Sequence, residues 1–466
     1  MQLEDDAAVT SRQPGRWAAT VLAAAAGVAL AACGPGSSGS SLYGSSGRPG
    51  ESAPSSTSAP AHRTSGSSGA SAPPAVLRQV AFFDPQSGYG LFETRPGDGC
   101  GEAVGRTGDG GATFGPLVTV TSGPCGTAVG GQGLAFSDHG DGFVYGPALF
   151  TSHDGGARWA AVPEPGPVEA VVPLGSSVWM VTADCPAGAG PLTPCALQVS
   201  QSDDGGRQWH PAATQPPVAA RSSATLPEPA QGQSWLVRTG VDTAYVVGPP
   251  AAPTASGVPD DAPLAWTGNG GRTWARRQIP CAVPALSVAL SAAPDGALVA
   301  VCASQSAAGY QPKSVAVSTD GGRTWAQRGP CQPGGCAPSP LTGGYLGTID
   351  ALSATEAFVI GPRSQLDQTT DGGATWTGRS DPGDTAGGGA QVVFFDARHG
   401  LVLGDTEASG RVAIWHTSDG GASWSTFTRS GSEAGRRAGS RRRRRSGGGA
   451  YRSTKATRAS SASVMR

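Results

Sequence analysis

Two sets of residues in this 466-residue chain have the types and spacing to do chemistry. The first is eight cysteines: Cys100, Cys125, Cys185, Cys195, Cys281, Cys302, Cys331 and Cys336. An even number suits disulfide pairing in an oxidising compartment. Of the roughly 105 pairings open to eight cysteines, closeness in sequence favours Cys100–Cys125, Cys185–Cys195, Cys281–Cys302 and Cys331–Cys336, and Cys302 with Cys331 stays feasible. A metal site would need Cys-x-x-Cys pairs or clustered histidines, and neither is present, so no metal is expected. The second set is acidic. Asp184, Asp260, Asp261, Asp384, Asp405 and Glu407 lie in loop-like stretches, where two carboxylates about 5–10 Å apart would serve glycoside hydrolysis. Their spacing selects no pair. The sequence also lacks a Gly-x-Ser-x-Gly elbow, a His-Glu-x-x-His helix and a Walker loop, so no cofactor is expected.

What must position these groups is a repeated turn. Ser318-Thr319-Asp320-Gly321-Gly322-Arg323-Thr324-Trp325 has six counterparts: Thr107 to Phe114, Ser152 to Trp159, Ser202 to Trp209, Thr267 to Trp274, Thr369 to Trp376 and Thr417 to Trp424. The anchors Asp109, Asp154, Asp204, Asn269, Asp320, Asp371 and Asp419 are 45, 50, 65, 51, 51 and 48 residues apart. A period of that length with short apolar runs points to propeller blades. Paired glycines supply the positive φ of a tight turn, and the acid and the preceding hydroxyl can accept hydrogen bonds from the turn's own amides. Asn269 keeps an acceptor oxygen, so its replacement of the acid is mild. The closing aromatic is expected to start the next strand and to pack between blades.

The pattern Ser/Thr-x-Asp-Gly-Gly-x-Thr/Ser-Trp resembles the Asp-box, or BNR, repeat of sialidase-like and photosystem assembly-factor propellers. That resemblance implies an all-β, seven-bladed propeller with four-stranded blades. It also implies that the seven anchor residues are structural, on the face away from the usual binding site. Sialidases of this kind use an arginine triad, a tyrosine nucleophile with a glutamate, and an Arg-Ile-Pro motif near the first blade. Here Leu77-Arg78-Gln79 stands at that place, and Arg158, Arg207, Arg272 and Arg323 lie inside the turn motifs, so sialidase activity is not expected.

Blade 1 reads as Val80 to Phe83, Tyr89 to Phe92, Ala103-Val104, the turn, then Phe114 to Val120; blade 7 repeats the order from Val392 to Phe427. The turn therefore joins the third strand to the fourth. Connections from second to third strand, and from fourth strand to the next blade, fall on the opposite face. The long insertions belong there: Asp184 to Pro194, His210 to Gln231, Pro249 to Pro263, Gly329 to Leu341 and Arg379 to Gly389. All eight cysteines map to that face or to strand ends beside it. Variable loops on a rigid scaffold carry binding.

With 72 Gly, 39 Pro and 14% charged residues, the chain is loop-rich. Residues 429–466 hold 12 basic residues and one acid, which leaves 21 Lys+Arg against 33 Asp+Glu in residues 1–428. The acidic propeller argues against nucleic acid as its partner. Arg12 and Arg16 precede an apolar run from Trp17 to Ala32, too short for a confident membrane span. Leu30-Ala31-Ala32-Cys33 then resembles a bacterial lipobox, which implies a lipid on Cys33; an ordinary cleaved signal or a short anchor helix is the alternative. Four segments are expected: a signal in 1–33, a Gly/Ser/Pro tether in 34–75 reaching roughly 35 Å, a propeller in 76–428 and an Arg-rich tail in 429–466. The tail can hold anionic lipid, wall polymer or the propeller, or have no function. The expected protein is membrane-anchored, extracytoplasmic and binds a protein or glycan through the insertion face; the alternative is a glycoside hydrolase.

Overall fold

Each repeated turn closes a hairpin between the third and fourth strands of a four-stranded antiparallel sheet, and the seven sheets are the blades of a β-propeller. The computed structural model describes residues 75–96, 99–125, 133–138, 140–163, 166–186, 194–221, 234–248, 261–305, 311–328, 331–332, 335–336, 341, 344–361, 366–379, 391–406 and 411–426.

Blade 1 comprises Val76–Phe82, Gly88–Thr94, Gly99–Thr107 and Val118–Pro124. Blade 2 comprises Gly133–Phe136, Gly142–Tyr145, Leu149–Ser152 and Ala160–Val162. In blade 3, Val168–Leu174, Ser177–Asp184 and Pro194–Ser202 are followed by two short pieces, His210–Pro211 and Ala219–Arg221. Leu236–Arg238, Ala244–Val247, Ala262–Thr267 and Ala275–Ile279 form blade 4. Blade 5 has Ala285–Ala292, Leu298–Ser304, Lys313–Ser318 and Ala326–Arg328. Blade 6 has Thr348–Ala351, Ala357–Ile360, Asp367–Thr369 and Thr377–Gly378. Gln391–Phe394, Gly400–Thr406, Arg411–Thr417 and Ser425–Thr426 complete blade 7.

Interior strands meet a neighbouring blade on both faces, so Val178 to Ala183 are buried without alternation. The core divides into seven apolar clusters, one per blade interface, and each takes one turn aromatic. Phe114 lies between blades 7 and 1, Trp159 between 1 and 2, and Trp209 between 2 and 3. Trp274, Trp325, Trp376 and Trp424 fill the next four in order. Parallel ring stacking reinforces two of these interfaces, Tyr89 on Phe136 at 3.6 Å and Phe358 on Phe394 at 3.5 Å.

The first strands pack around the centre and are tied by side chains that grip the next blade's backbone. Ser234 accepts from Leu290 N–H (3.0 Å), Ser291 from Ala351 N–H (3.1 Å) and Thr348 from Val392 N–H (2.9 Å). At the junction of chain ends, the Gln391 amide replaces a strand pair: its Oε1 accepts from Val80 N–H (3.2 Å) and its Nε2 donates to Val80 C=O (2.9 Å). Blades 1 and 7 each own four strands, so among the described residues no strand crosses the closure.

Two expectations need correction. The turn aromatics lead directly into the fourth strands in six blades, as Ala160 follows Trp159, but in blade 1 Val118 begins four residues after Phe114. Each aromatic turns into the core, and edge pairing starts only beyond it. The stretch from His210 to Gln231 is also not purely an insertion-face loop. Its first part is the split outer strand of blade 3; Ala212 N–H donates to Val199 C=O (2.9 Å), and between the pieces Gln215 Oε1 takes the place of a strand partner by accepting from Val199 N–H (2.6 Å).

Candidate functional site

The propeller has two ends of different character. At the turn end every motif uses its own polar groups. The Ser318 hydroxyl donates to Asp320 Oδ1 (2.9 Å) and accepts from Gly322 N–H (2.8 Å); Asp320 Oδ1 accepts from Thr324 N–H (2.9 Å) and Oδ2 from the Thr324 hydroxyl (2.6 Å). Across the seven copies the hydroxyl-to-acid bond spans 2.7–3.0 Å. The bonds from Thr324 hold the Asp320 carboxyl far below the usual carboxylate range, and the bonds from Ser423 bring Asp419 to about 2. Asp154, Asp204 and Asp371 are lowered in the same way, by bonds from Arg158, Gln208 and Thr375 in turn. At Asp109 burial opposes the shift and the bonds from Thr113 and Thr107 prevail. Acids held in this way stay ionised near neutral pH and cannot exchange a proton there.

The turns are also joints. Gly110 N–H donates to Gln86 C=O (2.8 Å) and Gly420 N–H to Arg398 C=O (2.9 Å), and bonds of this kind tie six of the turns to the first hairpin of their own blade on the same face. Both turn glycines have positive φ, and the second abuts the preceding blade. A Cβ on Gly111 would stand 2.5 Å from Ile414 Cδ1, and one on Gly206 2.5 Å from Phe143 Cε1. Arg158 and Arg207 remain beside Asp154 and Asp204; Arg207 also approaches Asp141 (3.4 Å), which binds His153 Nδ1 (2.8 Å). Arg323 binds the Asp320 carbonyl (2.9 Å), and Arg272 is exposed.

At the insertion end three disulfides fasten the strand ends. Cys100–Cys125 joins the third and fourth strands of blade 1, Cys185–Cys195 closes the second-to-third connection of blade 3, and Cys281–Cys302 ties blade 4 to blade 5. Cys331 lies opposite Cys336 in the short hairpin Cys331–Gln332 with Gly335–Cys336.

The first strands of blades 1, 3 and 5 each carry a one-residue bulge near this end, at Arg78, Glu169 and Leu286. Bulges re-aim side chains and recur beside functional sites. Arg78 turns onto Glu93, whose other oxygen lies 3.7 Å from Arg95. Burial raises the Glu169 carboxyl to about 7. Between blades 5 and 6, Lys313 Nζ donates to the carbonyls of Gln311 (3.2 Å) and Gly344 (3.1 Å), and burial lowers its ammonium to about 8 despite the Asp367 charge.

Of the six acids singled out for hydrolysis, two, Asp184 and Asp261, have side chains among the described residues. Asp184 is exposed and accepts from Gln198 Nε2 (3.0 Å), and Asp261 is exposed. Asp405 lies within Gly400–Thr406, whereas Cys33, Asp260, Asp384 and Glu407 fall outside the described residues. Among the described residues no three His, Cys, Asp or Glu side chains group to hold a metal ion.

Sequence reasoning missed Arg238 and Asp350. Arg238 is buried between blades 3 and 4, donates to the Val172 and Ser177 carbonyls (both 2.9 Å) and lies over Trp179. Asp350 accepts from Phe394 N–H (2.5 Å), and burial raises it to about 7. A charged residue inside an apolar first strand was the available signal for both.

Fold and site define a seven-bladed β-propeller whose turn end is saturated and whose insertion end carries the disulfides and bulges. No protein-family profile matches the chain, and no curated protein matches it. Among solved structures, YCF48 bound to a D1 peptide is 17% identical, covering 74% of this chain and 91% of that one, with a TM-score of 0.43. YCF48 from Cyanidioschyzon merolae is 16% identical over 74% and 95%, with a TM-score of 0.45. The β-propeller domain of the Trilobed protease from Pyrococcus furiosus is 6% identical over 77% and 99%, also at 0.45. Each is a likeness, and the fold assignment stands on the strand pairing described above.

Proposed function

We propose that this chain is a lipid-anchored, extracytoplasmic propeller of the Asp-box class that binds a protein or glycan at its insertion end. The asymmetry of the two ends carries the reading. Turn-end acids are consumed by their own turns, while the other end has strands locked by disulfides, first-strand bulges and the connections with long insertions. Loops mounted on fastened strands lose less entropy on binding, which suits a scaffold with a specific partner. Three disulfides favour an oxidising compartment. Cys33 in its lipobox-like context and the tether 34–75 supply the attachment, and two acyl chains bury enough methylenes for stable anchoring where one would be marginal.

Two measurements test this reading. Intact mass of the membrane-extracted protein should show a lipid on an N-terminal Cys33; an unlipidated Cys33 refutes the anchor. A glycan-hydrolysis screen on the full chain should show no turnover. Turnover abolished by Asp184→Asn or Asp261→Asn overturns binding in favour of hydrolysis.

A further inference from the structure

Asn269 is the single asparagine of the 466-residue chain, it is followed by Gly270, and it stands where the six sister turns have Asp. Asparagine before glycine is the pairing most open to attack by the following main-chain nitrogen, because no Cβ shields it. In that reaction Gly270 N loses its proton to solvent base and attacks Asn269 Cγ. The Cγ–Nδ2 bond breaks, ammonia leaves, and a cyclic imide remains. Water then opens the imide. Cleavage of the new N–Cγ bond yields aspartate with the ordinary backbone; cleavage of the original peptide bond yields isoaspartate, with the chain running through Cγ. The balance is amide plus water to acid plus ammonia, with no oxidant or reductant.

The native turn opposes the first step at both reacting atoms. Gly270 N–H donates to Asp242 C=O (3.0 Å). Asn269 Oδ1 accepts from the Thr267 hydroxyl (2.9 Å) and Thr273 N–H (3.0 Å), and Nδ2 donates to Thr273 Oγ1 (2.8 Å). This is also the turn gripped from the preceding blade. Gln201 Nε2 donates to Gly270 C=O (3.2 Å), Thr214 N–H and hydroxyl donate to Gly271 C=O (3.1 and 3.0 Å), and Trp274 Nε1 donates to Thr214 C=O (2.9 Å).

The two products differ in fit. An aspartate at 269 takes the place that Asp109, Asp320, Asp371 and Asp419 occupy, where the fourth residue's hydroxyl donates to Oδ2 at 2.6 Å in every case. Thr273 needs only to rotate its hydroxyl. Isoaspartate inserts a backbone carbon ahead of glycines with φ of 69° and 73°. A Cβ on Gly270 would already lie 2.9 Å from Asp242 Oδ1, and one on Gly271 3.1 Å from Ala212 Cβ. The inserted carbon lengthens the chain before Gly270 and so shifts both glycines within these close surroundings, out of the positions that the turn's hydrogen bonds require.

We propose that Asn269–Gly270 is a self-modification site, closed while the blade 4 turn is formed and open when it opens, whose α-linked product supplies the seventh turn carboxylate. The test incubates the full chain in mildly alkaline buffer, either folded or unfolded with denaturant and reductant, and follows ammonia release and the amide-to-acid mass gain on the peptide holding residue 269. The folded chain should react at least about tenfold more slowly, because reaction must await local opening. Equal rates overturn the gate. Thr273→Val removes the acceptor of Nδ2 and should raise the folded rate severalfold while leaving the unfolded rate unchanged; no folded-state change overturns the assigned restraint. Asn269→Asp should unfold at the same temperature as the parent or above it, and a lower temperature overturns the claim that the product fits. After refolding, isoaspartate should be depleted from the folded fraction. An equal share in both fractions overturns the distinction between products.

Discussion

Replacing Gln391 with Ala removes the polar fastener between the first and last blades. Its side chain is 6% exposed, and its amide satisfies both Val80 N–H and Val80 C=O, 311 residues away in sequence. Each buried backbone group left without a partner costs about 1–3 kcal/mol, so two cost roughly 2–4 kcal/mol after partial relaxation. The strands span Val76 to Thr426, and about 2.1 cal/mol/K per residue gives a domain of roughly 350 residues an unfolding entropy near 0.7 kcal/mol/K. The unfolding temperature should therefore fall by about 3–6 °C. Differential scanning calorimetry reads that shift, and hydrogen exchange at the Val80 amide reads the site itself. Gln391→Glu refines the reasoning: its carboxylate can accept from Val80 N–H but faces Val80 C=O without a proton, so its deficit should shrink in acid as the carboxyl protonates. An unchanged unfolding temperature together with full protection at Val80 would refute the idea that this side chain closes the ring.

Stability should vary with pH in two opposing windows. Burial raises Asp350 and Glu169 to about 7, so the native state holds their protons after the unfolded chain has released them, and stability is lost as pH rises from about 4 through about 7. The turn acids are depressed, so their contribution is lost as pH falls below about 4 toward the folded value of about 2 at Asp419. Calorimetry across pH should therefore find a maximum near pH 4–5, and Asp350→Asn should flatten the decline toward neutrality. Gly206→Ala meets Phe143 Cε1 at 2.5 Å with φ at 85°, whereas Gly140→Ala, at φ 84°, has its nearest neighbour 3.6 Å away. The first should cost about 2–5 kcal/mol in chemical denaturation and the second roughly 1–2 kcal/mol, from backbone strain alone. Replacing Cys281 and Cys302 together by Ser opens a 21-residue closure between blades 4 and 5 and should cost about 3 kcal/mol by the chain-entropy relation.

Much of the architecture was legible because the repeated turn is local. Its hydroxyl, acid and glycines are fixed by bonds within eight residues, so spacing alone yields blade number, strand order and the two faces. The same residues hid a second role. The second glycine of each turn is constrained by the neighbouring blade as well as by φ, and only packing such as Gly111 against Ile414 reveals that. Strand irregularities and side chains that replace backbone pairing left little sequence trace. The bulges at Arg78, Glu169 and Leu286 depend on how a first strand meets its partner strand. Gln391 and Gln215 read as ordinary polar residues, yet each stands in for backbone pairing. At the candidate site, cysteine proximity pointed to the three disulfides because each spans a connection or adjacent strand ends. The loop acids gave no such signal, since exposed carboxylates carry no periodicity and no local partner.

The central claim is that partners meet the insertion end. Photo-crosslinking on the full chain in the cells that produce it tests it most directly, with the reactive group placed at exposed positions of either end. Asp184 and Asp261 represent the insertion end, and Arg158 and Asp203 the turn end. Crosslinked products should form from Asp184 or Asp261 and be missing from Arg158 and Asp203. Products from the turn-end positions alone would contradict the account.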